Sequence, residues 1–251
     1  MPDLGEEFTR RLLVDAGIGA SMRVLDIGCG SGDVALLAGA LVGEQGQVFG
    51  VDREAGPLAL ARDRARGLGL TNVTFVQGDF DTLPLGIELF DAAVGRRVLM
   101  YQPDAVLALA QLARGVRPGG LIVFQEHDTT MTPASLAPMP LHRRAQGWIR
   151  QTIEREGADL HMGFGLYAAL TGAGLAVERV RAEAIVQTPN APHAVATIIR
   201  AMLPRIVSHG VATENEIDID TLDRRLGEER TGTDAIYVGD VMFGAWARKP
   251  R

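Results

Sequence analysis

Cysteine is nearly absent from this 251-residue chain, which has one, Cys29. A single thiol allows neither an intramolecular disulfide nor a cysteine pair for a structural metal, so the expected setting is a reducing cytoplasm. Long apolar runs are missing as well. No stretch approaches the ~18 residues of a membrane-spanning helix, and the N-terminus shows no basic-then-apolar leader, so neither a membrane span nor a signal peptide is expected. Positive charge is in deficit: 25 Lys and Arg against 31 Asp and Glu leave a net charge of −6. Nucleic-acid binders draw much of their affinity from phosphate neutralisation and show a basic footprint, whereas the arginines here are scattered among acids. Arg62, Arg64 and Arg66 alternate, but on a helix they spread around the circumference and meet Asp63, which is the pattern of a solvated face. Internal repeats and low-complexity segments are absent too.

What is present is a chain 47% hydrophobic, enough for one good core and one domain over residues 1–251. Leu4, Phe8, Leu12, Leu13 and Ala16 fall at helical spacing until Gly17 and Gly19. A strand ending at Ile27 is followed by a helix from Val34 to Val42, stopped by Gly43. Pro57 opens a third helix that Gly67 and Gly69 close. Pro103 and Asp104 start a fourth, with Val106, Leu107, Leu109, Ala110 and Ala113 expected to face a sheet. Strict alternation of strand and helix implies parallel strands with right-handed crossovers. Later, Leu175–Val186 reads as a sixth strand and Ala235–Ala247 as a seventh, whose alternation fits an antiparallel partner. Two insertions, about 129–160 and 189–233, carry Leu, Ile and Trp rather than the composition of disorder. They are expected to form a helical cap over the substrate side, with Pro133, Pro138 and Pro140 where it begins.

The run Val24-Leu25-Asp26-Ile27-Gly28-Cys29-Gly30-Ser31-Gly32-Asp33 ends a strand in an acid and a glycine-rich turn, and Asp52 closes the next strand about twenty residues on. That is how an α/β sheet opens a nucleotide-type pocket, with the second acid placed for ribose hydroxyls. A dinucleotide site would want a third glycine where Asp33 stands; an acid there repels a pyrophosphate, and Asp26 suits a ligand carrying an amine. The pattern resembles the first motif of class I methyltransferases dependent on S-adenosyl-L-methionine (SAM). Further segments arrive in that family's order: Val73 to Phe80 as a third strand, Phe90 to Arg97 as a fourth, and a turn Arg117-Pro118-Gly119-Gly120 before a fifth strand from Leu121 to Phe124. The resemblance covers residues 20–126. It implies a Rossmann-like, doubly wound α/β sheet of seven strands, mostly parallel with an antiparallel last strand. It also implies Asp26 with the Gly28 and Gly30 backbone at the methionine end, Asp52 and its neighbour Arg53 at the ribose, Asp79 with Phe80 at the adenine, and Arg96 near the methionine portion. Turn capping is the alternative for Asp26 and Asp52, and a surface position for Arg96.

On the acceptor side, Glu126-His127-Asp128 lies just past the fifth strand, at the carboxyl edge where open α/β sheets bind ligands. His127 is the candidate general base, since imidazole titrates near pH ~6.5; a hydrogen-bonded loop histidine is the competing reading. Glu126 or Asp128 with His127 and His142 or His161 would make a nitrogen and oxygen set for a divalent ion, but the spacing matches no compact ligand signature, and no metal is expected. Tyr101, Trp148 and His161 are candidate acceptor contacts, and Phe164 and Tyr167 lie in cap-facing segments; packing is the alternative for each aromatic. His193 and His209 have no nameable partner. The expected activity is SAM-dependent methyl transfer to O, N or C of a small, fairly apolar metabolite of the secondary-metabolism kind. The alternative is a SAM-binding protein of the same fold that catalyses a cyclisation, dehydration or rearrangement. A macromolecular substrate is disfavoured by the pI near 5.4 and by Gly95-Arg96-Arg97-Val98 where an Asn-Pro-Pro-Tyr type motif would stand. A small-molecule acceptor is the expected partner, a homodimer the one protein partner allowed for, and neither nucleic acid nor membrane is expected.

Overall fold

A computed structural model of the chain describes residues 4–80, 89–192 and 194–251; His193 lies outside them. Seven strands, β1 (Arg23–Ile27), β2 (Gln47–Asp52), β3 (Val73–Gln77), β4 (Phe90–Arg96), β5 (Val116–Asp128), β6 (Ala176–Gln187) and β7 (Tyr237–Arg248), form one sheet in the order β3-β2-β1-β4-β5-β7-β6. β1 pairs in parallel with β2 and β4, β2 with β3, and β4 with β5, and the sheet is mostly parallel with an antiparallel last strand. The order reverses between β1 and β4, which makes their carboxyl ends the topological switch point where such sheets bind ligands. Val24, Leu25 and Ile27 of β1 are fully buried, as a continuous apolar run in a parallel strand covered on both faces must be. Asp26 sits level with Gly50 of β2 and Val94 of β4, the one acid of β1, among the apolar residues that follow Arg23.

The helices α1 (Leu4–Ala16), α2 (Asp33–Val42), α3 (Ala55–Gly67) and α4 (Ala105–Arg114) lie within two residues of their expected bounds. Asp104 caps α4 by accepting the Leu107 N–H. Two expectations need correction. The buried face of α4 is Ala108, Leu109, Leu112 and Ala113, whereas Val106 and Leu107 are 37% and 54% exposed; they occupy the first turn, which rotates them to solvent. Arg117-Pro118-Gly119-Gly120 is not a turn before β5 but part of it. A register shift between Phe90 and Ala92 absorbs the irregularity, and the Gly119 N–H and Gly120 carbonyl pair with Lys249 just beyond β7, giving this stretch a ladder partner.

Contacts divide the chain into two compact units. The sheet unit comprises Gly5–Glu126, Met162–Ala182 and Phe243–Arg251, and includes α6 (Met162–Gly172). The second, helical unit contains His127–His161 and Glu183–Met242, hence α5 (Pro140–Arg155), α7 (Val195–Ser208), α8 (Glu214–Ile217) and α9 (Ile219–Thr231). Its core joins Ala145 and Trp148 of α5 to Val195, Ile199, Met202 and Ile206 of α7 and Leu222 and Leu226 of α9. The two insertions therefore fold onto each other as one body. α5 starts with Pro140 at its first position, where a missing N–H costs nothing. Its N-cap residue, Met139, makes no side-chain cap; Glu229 of α9 takes the Leu141 and His142 N–H groups instead, each at 2.8 Å. Among the described residues, no helix is long and apolar enough to cross a membrane.

Candidate active site

The glycine turn after β1 is shaped by backbone conformations that L side chains rarely adopt: φ is +66° at Gly28 and +51° at Gly30. A β-carbon on Gly28 would come within 2.3 Å of Val98 Cγ2, whereas one on Gly30 would meet nothing within 4 Å. The turn is thus pressed against the β4 side at Gly28 and left open at Gly30. Asp52 holds it there. Its Oδ2 accepts the Gly30 N–H at 2.8 Å and its Oδ1 accepts the Glu54 N–H at 2.9 Å, so this carboxylate ties the loop to the start of α3 and retains lone pairs for further donors.

Asp26 is buried, and neither of its carboxyl oxygens has a hydrogen-bond partner among the described residues. Burial pushes its pKa up to about 8, with Arg96 and the Ala35 backbone N–H pulling the other way. A buried acid whose oxygens are this poorly satisfied is costly and rare in native proteins, and an ammonium group placed beside it would supply both the charge and the donors. Asp33 plays a part that the sequence hides. Arg96 Nη2 and Arg64 Nη1 each lie 2.6 Å from its carboxylate. Burial works to raise this carboxyl, but those hydrogen bonds and charges outweigh it and hold Asp33 below the usual carboxylate range. Arg96 is no surface arginine, being 12% exposed at its side chain. Its Nη1 also reaches Thr9 Oγ1 at 3.3 Å, and that hydroxyl donates to Gln125 Oε1 at 2.7 Å. At the β3 end, Asp79 Oδ1 accepts the Phe80 N–H at 2.7 Å and Phe80 is buried. Arg53 is exposed, its carbonyl accepting the Gln77 amide at 2.9 Å.

At the carboxyl edge of β5, Glu126 is fully buried, and its Oε1 accepts the N–H groups of Val98 at 3.0 Å and Leu99 at 2.8 Å. Burial, opposed by these hydrogen bonds, pushes its pKa up to about 7. Arg97 has φ +56°, an uncommon conformation for a non-glycine residue, and its N–H donates to the Gln125 carbonyl at 2.8 Å. Gln125 and Glu126 thus staple the turn after β4, on which the half-buried Tyr101 stands. From the sequence, Glu126 is a candidate only as a metal ligand.

In the helical unit, His127 is partly buried. His161 is exposed, with Nδ1 2.7 Å from Thr130 Oγ1, and His142 is buried with Nδ1 2.7 Å from Glu229 Oε2. The histidines of the metal alternative are therefore engaged separately, and among the described residues no three His, Cys, Asp or Glu side chains gather to hold an ion. Trp148 lies inside the apolar core of its unit. His209 gains the partner the sequence did not reveal: its Nε2 is 3.6 Å from Glu156 Oε1, on a carboxylate shared with Arg205. In the sheet unit, Phe164 packs on Phe243 with ring centroids 4.9 Å apart, and Phe164 and Tyr167 are both exposed.

Comparison with known proteins adds four matches. A family model described as a methyltransferase domain matches residues 18–158. A 2-phytyl-1,4-naphtoquinone methyltransferase of Synechococcus elongatus is 45% identical over 112 residues, 44% of this chain and 48% of that protein. An aklanonic acid methyltransferase of a Streptomyces species is 38% identical over 125 residues, 48% of this chain and 57% of that protein. The chain thus matches about half the length of these curated relatives. Among solved structures, the YcgJ protein of Bacillus subtilis shares the fold with TM-score 0.63 at 18% identity, covering 98% of this chain and 100% of that one.

Proposed function

Since the chain belongs to the methyltransferase domain family, we propose that it moves the methyl group of SAM to a small, fairly apolar acceptor of quinone or polyketide type. The observation that carries this reading is the pairing of an open glycine turn with Asp26, a buried acid whose two oxygens lack partners. An α-amino group fits there. In this reading the Gly28 and Gly30 backbone lines the methionine end, Asp52 accepts ribose hydroxyls beside Arg53, and Asp79 and Phe80 take the adenine amine and ring. Arg96, already balanced by Asp33, keeps positive charge near the methionine carboxylate.

When bound, SAM supplies an electrophilic methyl on a sulfonium, so the chain's task is to hold donor and acceptor in line and exclude water. Where the acceptor is a hydroxyl, His127 takes its proton. Tyr101 and His161 are assigned to acceptor contacts, and Trp148 to the core that positions its helix. The acceptor class is drawn from the two relatives, one named for a naphthoquinone and one for aklanonic acid. Incubation with methyl-labelled SAM and a panel of hydroxylated naphthoquinones and anthraquinones tests it: label in an organic product with stoichiometric S-adenosylhomocysteine is expected. Conversion without S-adenosylhomocysteine would replace this reading with the cyclisation, dehydration or rearrangement alternative.

A further inference from the structure

Two rings in the helical unit carry buried polar atoms that no described residue satisfies. His142 and Tyr237 are 1% and 2% exposed, and neither His142 Nε2 nor Tyr237 Oη has a hydrogen-bond partner among the described residues. The rings lie together, centroids 5.1 Å apart and tilted by 45°. Native proteins leave few buried polar atoms unsatisfied, and here two lie on adjoining rings.

The surroundings fix what each atom offers. Glu229 Oε2 sits 2.7 Å from His142 Nδ1. Burial would raise the Glu229 carboxyl, but the Leu141 and His142 N–H groups and the His142 ring hold it low. An ionised carboxylate there keeps the imidazole proton on Nδ1 and leaves Nε2 as an acceptor. Tyr237 is pushed up to about 12 by burial and by Asp240 and Glu229, against Arg143, so its phenol stays a donor. One acceptor and one donor complement a hydroxyl group, which gives one hydrogen and takes another; a carbonyl would satisfy only the tyrosine.

Along β7, positions 237 and 239 share a face, and position 239 is glycine; a β-carbon there would stand in ordinary contact with the Ile185 carbonyl at 3.4 Å and Gln146 Nε2 at 3.5 Å, so the glycine leaves a gap of methyl size, the size of a hydroxyl. On α5, His142 and Gln146 are one turn apart and both buried. A polar helix face thus meets a strand face from which one side chain is missing.

We propose that His142 Nε2 and Tyr237 Oη bind a phenolic or enolic hydroxyl of the acceptor, with Glu229 as the positioning residue that sets the imidazole tautomer. An oxygen engaged on both sides is held rather than methylated, so the pair selects polyhydroxylated acceptors. The proposal rests on the acceptor class given above. Binding of naphthol and of naphthalene, measured by calorimetry without cofactor, tests it apart from catalysis. Two neutral hydrogen bonds predict that the wild type prefers naphthol by roughly tenfold or more. Tyr237→Phe, isosteric and relieved of its unsatisfied oxygen, should reduce that preference several-fold and keep or raise the melting temperature. Equal preference in both proteins, or none in the wild type, overturns the proposal and leaves a trapped water as the group the rings meet. Should Tyr237→Phe fail to fold, Gly239→Ala replaces it; naphthol should bind it several-fold more weakly, and unchanged affinity overturns the proposal. A hydroxyl preference without any methyl transfer would leave this site standing while removing the function proposed above.

Discussion

If Asp26 receives the amino group of the cofactor, binding must depend on pH in a calculable way. A carboxyl with pKa near 8 is ionised in roughly one molecule in a hundred at pH 6 and in about half at pH 8, so pairing with an ammonium costs about 2.7 kcal/mol at the first pH and about 0.4 at the second. Affinity for S-adenosylhomocysteine should therefore rise about 50-fold from pH 6 to pH 8, with close to one proton released per ligand at the acid end. Calorimetry in buffers of different ionisation enthalpy reads both quantities. Asp26→Asn should abolish the slope and the proton release, and lose ~1.5–3 kcal/mol of binding at pH 8. Glu126 also titrates in this window; Glu126→Gln separates its contribution and should preserve the slope. Stability runs the other way. The folded carboxyl keeps a proton that the unfolded one, near 3.8, has lost, so the contribution is present below pH 4 and disappears as pH rises through 8. From pH 5 to pH 8 the wild type should lose roughly 3–4 kcal/mol that Asp26→Asn does not. A flat affinity in the wild type, or an unchanged slope in Asp26→Asn, would refute the assignment.

Asp52→Ala removes the acceptor of the Gly30 and Glu54 N–H groups as well as the proposed ribose contact; cofactor affinity should fall roughly ten- to a hundred-fold by calorimetry, and unchanged affinity in a folded variant would contradict it. Gly28→Ala places a β-carbon 2.3 Å from Val98 at a positive φ, so it should lose ~1–3 kcal/mol of stability or more to strain and melt measurably lower; a wild-type melting curve would count against the described turn. His127→Ala should lower turnover by roughly 10² to 10⁴ on a hydroxyl acceptor while cofactor affinity holds; activity abolished by chelator and restored by a divalent ion would assign the histidine to a metal instead. Trp148→Ala, in the core of the helical unit, should cost ~3–5 kcal/mol in denaturant unfolding, and a loss under 1 kcal/mol would place the ring outside that core.

What the sequence disclosed is local. The run from Val24 to Asp33 carries strand, turn and helix start in ten residues, and the alternation around it implies parallel strands with right-handed crossovers, while the doubly wound sheet came from the family resemblance. What it concealed depends on partners far along the chain. The stretch Arg117 to Gly120 pairs because Lys249 lies beside it. Asp33 reads as an acid hostile to phosphate until Arg96 and Arg64 are seen to converge on it. Thr9 looks like a helix residue with nothing to do until Gln125 and Arg96 meet its hydroxyl. Trp148 and His142 both sit on α5, and no periodicity distinguishes the one packed in apolar core from the one held by a carboxylate 87 residues away. The α4 error has a simpler cause: apolar residues in a first helical turn can point outward, and hydrophobicity alone does not set the phase.

The cap that Glu229 places on α5 has a consequence for how the chain comes into being. A ribosome delivers Leu141 and His142 long before the carboxylate that will receive their N–H groups, 88 and 87 positions later. Until then α5 has an open first turn, and its Trp148 face waits for the side chains of α7 and α9. The helical unit has no early half that can mature by itself. A nascent chain carries one exposed amphipathic helix from the completion of α5 at Arg155 until α9 has been made, and that interval, rather than the finished protein, is where destabilised variants of this unit would be lost to aggregation or proteolysis.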